Sequence, residues 1–271
     1  MGEFDGFGAI ALDVDGTLAR ADHQVSARSY RVLAALESHG VHPFIVTGRT
    51  AEAARVICHR AGLTAPFVAV TGAVVEDPVT GERLRAATMP AATVERILGV
   101  IETLDLVPIV WTAEGIHAAE PSEYSAELAA LTGATVRYGP LDDVVAGPVV
   151  KLVAGGPAER LDALVPAFAE RAPELSRCLH RMAETMVQGA TKADGVRLVC
   201  ARLGVALADC IGIGDNDTDA DWLSIVGLPV AVANARPSVQ AVAERMIGHH
   251  DEDAVAVFLE EVLASRTAER S

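Results

Sequence analysis

Short apolar runs alternate with helix-spaced patterns toward both ends of the chain. Residues 8–12 form an unbroken apolar run that stops at Asp13, as expected of a strand buried on both faces. Ser26 can cap a helix through about residue 38, with Tyr30, Leu33, Ala34 and Leu36 near one face and Gly40 as its stop. Residues 42–46 read as a second strand, ending at Thr47-Gly48-Arg49. A helix over 50–61, stopped by Gly62, and a third strand over 67–70 follow. Residues 209–213 and 228–232 look like two more strands, each followed by a helical stretch. This alternation predicts an α/β fold with a parallel sheet covered by helices on both faces. Ligands of such sheets bind beyond the carboxyl ends of the strands. The short polar segments Asp13-Val14-Asp15-Gly16-Thr17, Thr47-Gly48-Arg49 and Gly214-Asp215 all fall there.

The middle of the chain has a different grain. It reads as a helix (91–104), strands (107–111 and 116–119), a helix (122–131), a strand (149–153), a helix (157–170) and two short strands (176–181 and 184–188). That order fits a smaller α/β layer inserted into the parent domain. The expected division is 1–84 and 188–271 for the parent and 85–187 for the insertion, with hinges near 84–90 and 188–191. There is no repeat of fixed period, and the polar tail over 265–271 is expected to fray.

Composition narrows the class. With 271 residues, 51% hydrophobic and 22% charged, the chain can bury a sizeable core and is not a disordered type. No apolar run reaches the ~20 residues of a spanning helix. The N-terminus lacks the basic region of a secretory signal, so a cytoplasmic location without a membrane role is expected. Cys58, Cys178, Cys200 and Cys210 are scattered, which points to reduced, mostly buried thiols. A net charge of −15 with no Lys/Arg cluster argues against nucleic acid. An anionic substrate must then be met by a metal, a few cations and backbone N–H groups. Oligomeric state is not readable.

The candidate chemistry sits at the strand ends. Asp13 and Asp15 are two positions apart, and the loop after Asp13 can aim both into one cleft. Gly16 permits a tight turn that turns N–H groups toward an anion. A divalent cation relieves repulsion between close carboxylates, and hard oxygen ligands favour Mg²⁺ over zinc. Taken alone, D-x-D-G is equally a turn with a solvated acidic pair. A second acidic cluster, Asp215, Asp217, Asp219 and Asp221, follows the 209–213 strand. A solvated helix start accounts for Asp217 and Asp221, but less well for Asp215 beside its glycines. Lys192 opens a helix, where its charge opposes the dipole unless an anion is near; an exposed surface lysine is the alternative. Thr47 can also be no more than a helix cap.

Together these four pieces resemble the haloacid dehalogenase-like superfamily of phosphohydrolases. Asp13-Val14-Asp15-Gly16-Thr17-Leu18 is similar to its first motif, Thr47-Gly48-Arg49 to its second, Lys192 to its third and Gly214-Asp215 with Asp219 to its fourth. The inserted layer resembles the large α/β cap of the Cof-type subgroup, as does the segment Ala231-Val232-Ala233-Asn234-Ala235 before Pro237-Ser238-Val239. The resemblance implies a Rossmann-like core domain with a cap, acting as a Mg²⁺-dependent phosphatase on a small phosphorylated metabolite. It implies that Asp13 attacks phosphorus and becomes an aspartyl-phosphate, while Asp15 protonates the leaving oxygen and then activates water. Mg²⁺ would be held by Asp13, the backbone carbonyl of Asp15 and Asp215. Thr47, Gly48, Gly16 and Lys192 would bind the phosphoryl group, with Asp219 and Thr218 in support. Arg49, Arg181, Glu184, Asn234 and the 111–117 turn are candidate substrate contacts. Lys151, inside an apolar strand, is expected to snorkel.

The chain departs from the subgroup in places. Thr218 stands for the usual asparagine, Trp222 for methionine, Ala193 for glycine, and Thr71-Gly72-Ala73 for Asn-Gly-Ala. These bear on substrate choice more than on chemistry. Three rival readings share the scaffold: a phosphomutase or phosphotransferase, a non-catalytic phospholigand-binding protein, and a metal-free dehalogenase. Retention of Asp13, Asp15, Lys192 and Asp215 argues against the second, and Asp15 with the acidic cluster argues against the third.

Overall fold

The apolar run before Asp13 is a strand, β1 (Ala9–Leu12), buried along its whole length in a computed structural model that describes residues 3–185, 187 and 189–268. Helix α1 (Ala27–Ser38) starts where the Ser26 side chain accepts the N–H of Ser29. It buries Ser29, Val32, Leu33 and Leu36. The buried stripe is therefore rotated from the expected one: Ala34 is exposed and Tyr30 half-buried. The row 29/32/33/36 is a full helical seam, and Tyr30 lies beside it with the Arg60 guanidinium 4.8 Å from its ring centroid. Next come β2 (His42–Ile45), α2 (Ala51–Ala61) and a small sheet of β3 (Phe67–Ala69), β4 (Val74–Glu76) and β5 (Arg83–Ala86). Neither β4 nor β5 is legible in the hydrophobic pattern. Both are short, and polar residues hold them: Glu76 of β4, 1% exposed, accepts from Arg55 of α2 at 2.7 Å and lies 3.5 Å from Arg83 of β5.

The middle segment runs α3 (Ala91–Thr103), β6 (Val107–Thr112), β7 (Gly115–Ala118), α4 (Glu123–Thr132), β8 (Val136–Tyr138), α5 (Asp142–Val145), β9 (Val149–Gly155), α6 (Ala158–Arg171), β10 (Leu175–Leu179) and β11 (Met182–Thr185). Its sheet has the order β10-β11-β9-β6-β7-β8. Val110, Leu152, Ala154 and Ala183 on that sheet share a core with Val94, Ile97 and Ile101 of α3 and Leu161 and Phe168 of α6. The β10–β11 hairpin turns at His180 and Arg181, two residues before the expected turn. Arg177 closes it by donating to the carbonyls of Leu179, His180 and Met182. Met186 and Gln188, which the expected 184–188 strand included, lie outside the described residues.

The chain then runs α7 (Lys192–Leu203), β12 (Cys210–Gly214), α8 (Asp217–Leu223), β13 (Leu228–Ala231), α9 (Pro237–Val242), β14 (Arg245–Met246) and α10 (Ala254–Ala268). The polar residues 265–268 continue α10 instead of fraying, and 269–271 lie outside the described residues. The chain divides into two compact units. One comprises Met1–Gly48, Ala54–Arg85 and Thr191–Ser271, the other Arg49–Ala53 with Ala86–Ala190.

In the first unit the main sheet is wholly parallel, with the order β14-β13-β12-β1-β2. β1 lies at its centre, pairing Ala9 with Cys210 on one side and with His42 on the other. The chain leaves β1 toward β2 and returns later as β12 on the opposite side. The loops after β1 and β12 therefore part from each other, which opens a crevice at their carboxyl ends. Among the described residues no helix is long and apolar enough to cross a membrane. All four cysteines are free thiols, three of them buried and Cys178 exposed.

Candidate active site

Asp13 is the first residue after β1, and its N–H donates to Ile213 of β12 at 3.0 Å. The strand pairing thus carries Asp13 to the switch point and leaves the residue only 4% exposed. Lys192 arrives from the start of α7, where the Thr191 hydroxyl caps the helix by accepting from Asp194 N–H. The ammonium of Lys192 lies 2.6 Å from Asp13 Oδ1 and 2.6 Å from Asp219 Oδ1. The alternative of an exposed lysine is thereby set aside.

Asp219 is fully buried and its acceptor positions are filled. Oδ1 also takes the indole N–H of Trp222 at 2.9 Å. Oδ2 takes the N–H groups of Asp215 at 3.1 Å and Asn216 at 3.0 Å. Burial works against its charge, yet Lys192 and these donors hold its carboxyl below the usual range. Asp13 shows the opposite balance. Burial, then the charge of Asp219, push it well above the usual carboxylate range against the pull of Lys192. Burial opposes the charge of Lys192, but Asp13 and Asp219 outweigh it and keep the ammonium protonated.

Asp215 follows β12 and accepts from the Thr17 hydroxyl at 3.0 Å. Burial, then the charge of Asp219, push its carboxyl up to about 6. Gly16 has φ +79°, and a side chain there would collide with the Asp215 carboxylate. Glycine is required on both counts. The carboxylates of Asp13, Asp215 and Asp219 converge within 4.8 Å. Two of the three are held above their normal range by burial and then by neighbouring negative charge, and a divalent cation relieves the second of these. Asp219 has no acceptor position to spare, so the oxygens that fit such an ion belong to Asp13 and Asp215.

Asp15 is half-exposed, and its Oδ1 lies 3.6 Å from His23 Nδ1. Thr47 is fully buried; its N–H donates to Val68 at 2.9 Å and its carbonyl accepts from Thr71 N–H at 3.1 Å. Val70 and Thr71 both have left-handed φ, +48° and +55°, which is unfavourable for β-branched residues. The turn they form ends at Gly72, where a side chain would collide with the Thr191 carbonyl at the start of α7. The loop that bonds Thr47 therefore also seats Lys192.

Several expected residues take other parts. Asn234 donates to the Gly16 carbonyl at 2.7 Å and accepts the His250 N–H at 3.2 Å, which makes it a tie for the Asp15-Gly16 loop. Thr218 is exposed, and Asn216 and Asp219 cap α8 in its place. In the second unit, Arg181 pairs with Glu123 at 2.7 Å and stacks on Tyr124, while Glu184 pairs with Lys151 at 2.8 Å. Lys151 does not snorkel: it is 5% exposed, with its ammonium 4.9 Å from the Trp111 ring centroid. Arg49 is 7% exposed and belongs with the second unit. Trp222 and Thr17, which hold Asp219 and Asp215, are missing from the expected site. The helical i, i+3 spacing of Asp219 and Trp222 is the only signal that could have paired the first.

The profile of the haloacid dehalogenase-like hydrolases matches residues 10–259. The chain belongs to that family. Its resemblance to the Cof-type subgroup stands with that membership. The chain is 29% identical to an HMP-PP phosphatase of Serratia proteamaculans over 263 residues, which is 94% of this chain and 95% of the relative. It is 25% identical to a 5-amino-6-(5-phospho-D-ribitylamino)uracil phosphatase of Bacillus subtilis, covering 93% and 96%. A haloacid dehalogenase-like hydrolase structure from Bacteroides thetaiotaomicron superposes with a TM-score of 0.87 at 21% identity, covering 94% of this chain and 99% of the other. That neighbour shares the fold. Its relatives, matched over more than nine-tenths of both chains, are named as phosphatases, and the chain is a phosphoric monoester hydrolase.

Proposed function

We propose that this hydrolase removes the phosphoryl group of a small phosphorylated metabolite through an aspartyl-phosphate on Asp13, with Mg²⁺ as its cofactor. The supporting observation is the Asp13–Lys192–Asp219 chain, which buries a carboxylate at the switch point and fixes one cation against it.

In the first step an oxygen of Asp13 attacks phosphorus. A bond forms from Asp13 to phosphorus, the bond to the leaving oxygen breaks, and Asp15 gives that oxygen its proton. In the second step Asp15 takes a proton from water as the water attacks phosphorus, which releases phosphate and restores Asp13. The exposure of Asp15 suits a group that must meet both a leaving group and water. Lys192 balances charge on the phosphoryl oxygens, and Thr47, Gly48 and Gly16 line their positions. Asp13, Asp215 and the Asp15 carbonyl would hold Mg²⁺, which supplies neutralisation of the phosphate's negative charge. Asp219 orients Lys192. We assign the second unit the role of a cap that selects the leaving group, and the protein a cytoplasmic location.

A panel of phosphorylated metabolites tested for phosphate release, with and without EDTA, examines this reading. Release that depends on Mg²⁺ and is lost in Asp13→Asn is expected. Turnover undiminished by EDTA would remove the cation. Isomerised or transferred product without free phosphate would favour a mutase or transferase.

A further inference from the structure

Beyond the acidic crevice, the first unit holds a second convergence of ligand atoms. It lies in the loop between β14 and α10, where His249, His250 and Asp251 follow one another around a short 3₁₀ turn. Their candidate ligand atoms all lie within 4.8 Å of one another.

Two of the three donors are oriented from behind. His250 Nδ1 lies 2.8 Å from the Ala19 carbonyl. A carbonyl only accepts, so Nδ1 carries the proton and Nε2 keeps its lone pair. Asp251 Oδ1 accepts the Ala21 N–H at 2.7 Å, which leaves Oδ2 facing the imidazoles. Oδ2 lies 3.9 Å from His250 Nε2 and 3.9 Å from His249 Nδ1. His249 Nδ1 accepts only a long 3.3 Å contact from the Asp251 N–H, so its lone pair is also on the cluster side. The two rings lie side by side, their centroids 4.7 Å apart. Arg20, the cation closest in sequence to this loop's partners, is engaged by Asp253 at 2.9 Å.

We infer that His249, His250 and Asp251 form a second divalent-cation site, selective for a borderline transition ion such as Zn²⁺ over Mg²⁺. Two imidazole nitrogens and one carboxylate oxygen are a zinc-type donor set, whereas Mg²⁺ prefers oxygen alone. Bonds of about 2.0–2.2 Å place tetrahedral ligands about 3.3–3.5 Å apart, so the 3.9 Å spacings close by about half an ångström on binding. The contact of His249 with the Asp251 N–H is what yields. Hydrogen bonds behind a metal ligand that fix its tautomer and direction raise affinity; here the Ala19 carbonyl and the Ala21 N–H play that part. Three protein ligands leave a position open for water or an exogenous ligand. The site is also tied to the catalytic loop, because Asn234 joins the His250 N–H to the Gly16 carbonyl.

The test uses full-length protein without a histidine tag, held in saturating Mg²⁺, and titrates Zn²⁺ by calorimetry. One equivalent is expected to bind. His249→Ala, His250→Ala and Asp251→Asn should each weaken binding by at least about tenfold. Asp251→Asn retains an acceptor for the Ala21 N–H, so it probes the ligand without disturbing the loop; melting of metal-free variants checks their folding. Binding in the wild type no tighter than about millimolar would overturn the proposal. So would equal binding by Asp251→Asn and His250→Ala, or Zn²⁺ that competes with Mg²⁺ and is lost in Asp215→Asn.

Discussion

Each unit of this protein buries a lysine beside a tryptophan, and the two arrangements differ in how completely they are satisfied. Lys192 and Lys151 are both 5% exposed. Lys192 meets two carboxylates at 2.6 Å, and one of these, Asp219, is itself fixed by two backbone N–H groups and the indole of Trp222. Lys151 meets one carboxylate, Glu184, whose side chain is 26% exposed, and the face of Trp111. The Trp111 indole N–H has no hydrogen-bond partner among the described residues. The first cluster is over-determined, as its proposed role of holding a reacting phosphate requires. The second has one partly exposed partner and one buried donor without a partner among the described residues, and so is less completely satisfied.

The largest expected effect separates the two units outright. Asp13→Asn should lower phosphate release by at least about 10³-fold with little change in melting temperature, because it removes a nucleophile and retains the volume. Residual turnover near wild type in a phosphate-release assay would end the comparison, since the first cluster would then be structural only.

The two lysines give the next contrast. Lys192→Met leaves Asp13 and Asp219 buried with no cation between them, and should cost about 3–5 kcal/mol in urea unfolding as well as activity. Lys151→Met leaves Glu184, which reaches water, and should cost about 1 kcal/mol. Equal losses would mean that the second cluster is as tightly determined as the first.

The first cluster was largely legible in the chain because its groups stand at strand ends, where apolar runs stop abruptly. Asp13 and Asp215 each close such a run, and Lys192 follows a threonine cap. The supports were less legible. Asn234 and Trp222 act through hydrogen bonds across loops whose geometry depends on the sheet already being formed. The second unit is readable as an alternating layer, with α3, α4 and α6 each within one residue of the expected ends, while the short β8 and α5 carry no pattern that marks them. The position of its hairpin turn is not legible because the Arg177 side chain, and not a turn-type residue, closes it. The burial of Lys151 is not legible because a lysine in an apolar strand carries no mark of its partner 33 residues away.

The smallest expected effect concerns the two indoles. Trp222→Phe removes the donor to Asp219 Oδ1 and should cost about 1–2 kcal/mol, with a modest fall in turnover as Asp219 loosens its hold on Lys192. Trp111→Phe removes a buried N–H that has no partner, so the gain from deleting an unsatisfied donor offsets the small loss of packed volume. Its stability should stay within about 1 kcal/mol of wild type. The pair is best measured in one urea series, where the difference between the variants is independent of the extrapolation. A Trp111→Phe loss as large as that of Trp222→Phe would show that the idle donor in the second unit has an acceptor after all, and that the two clusters are equally closed.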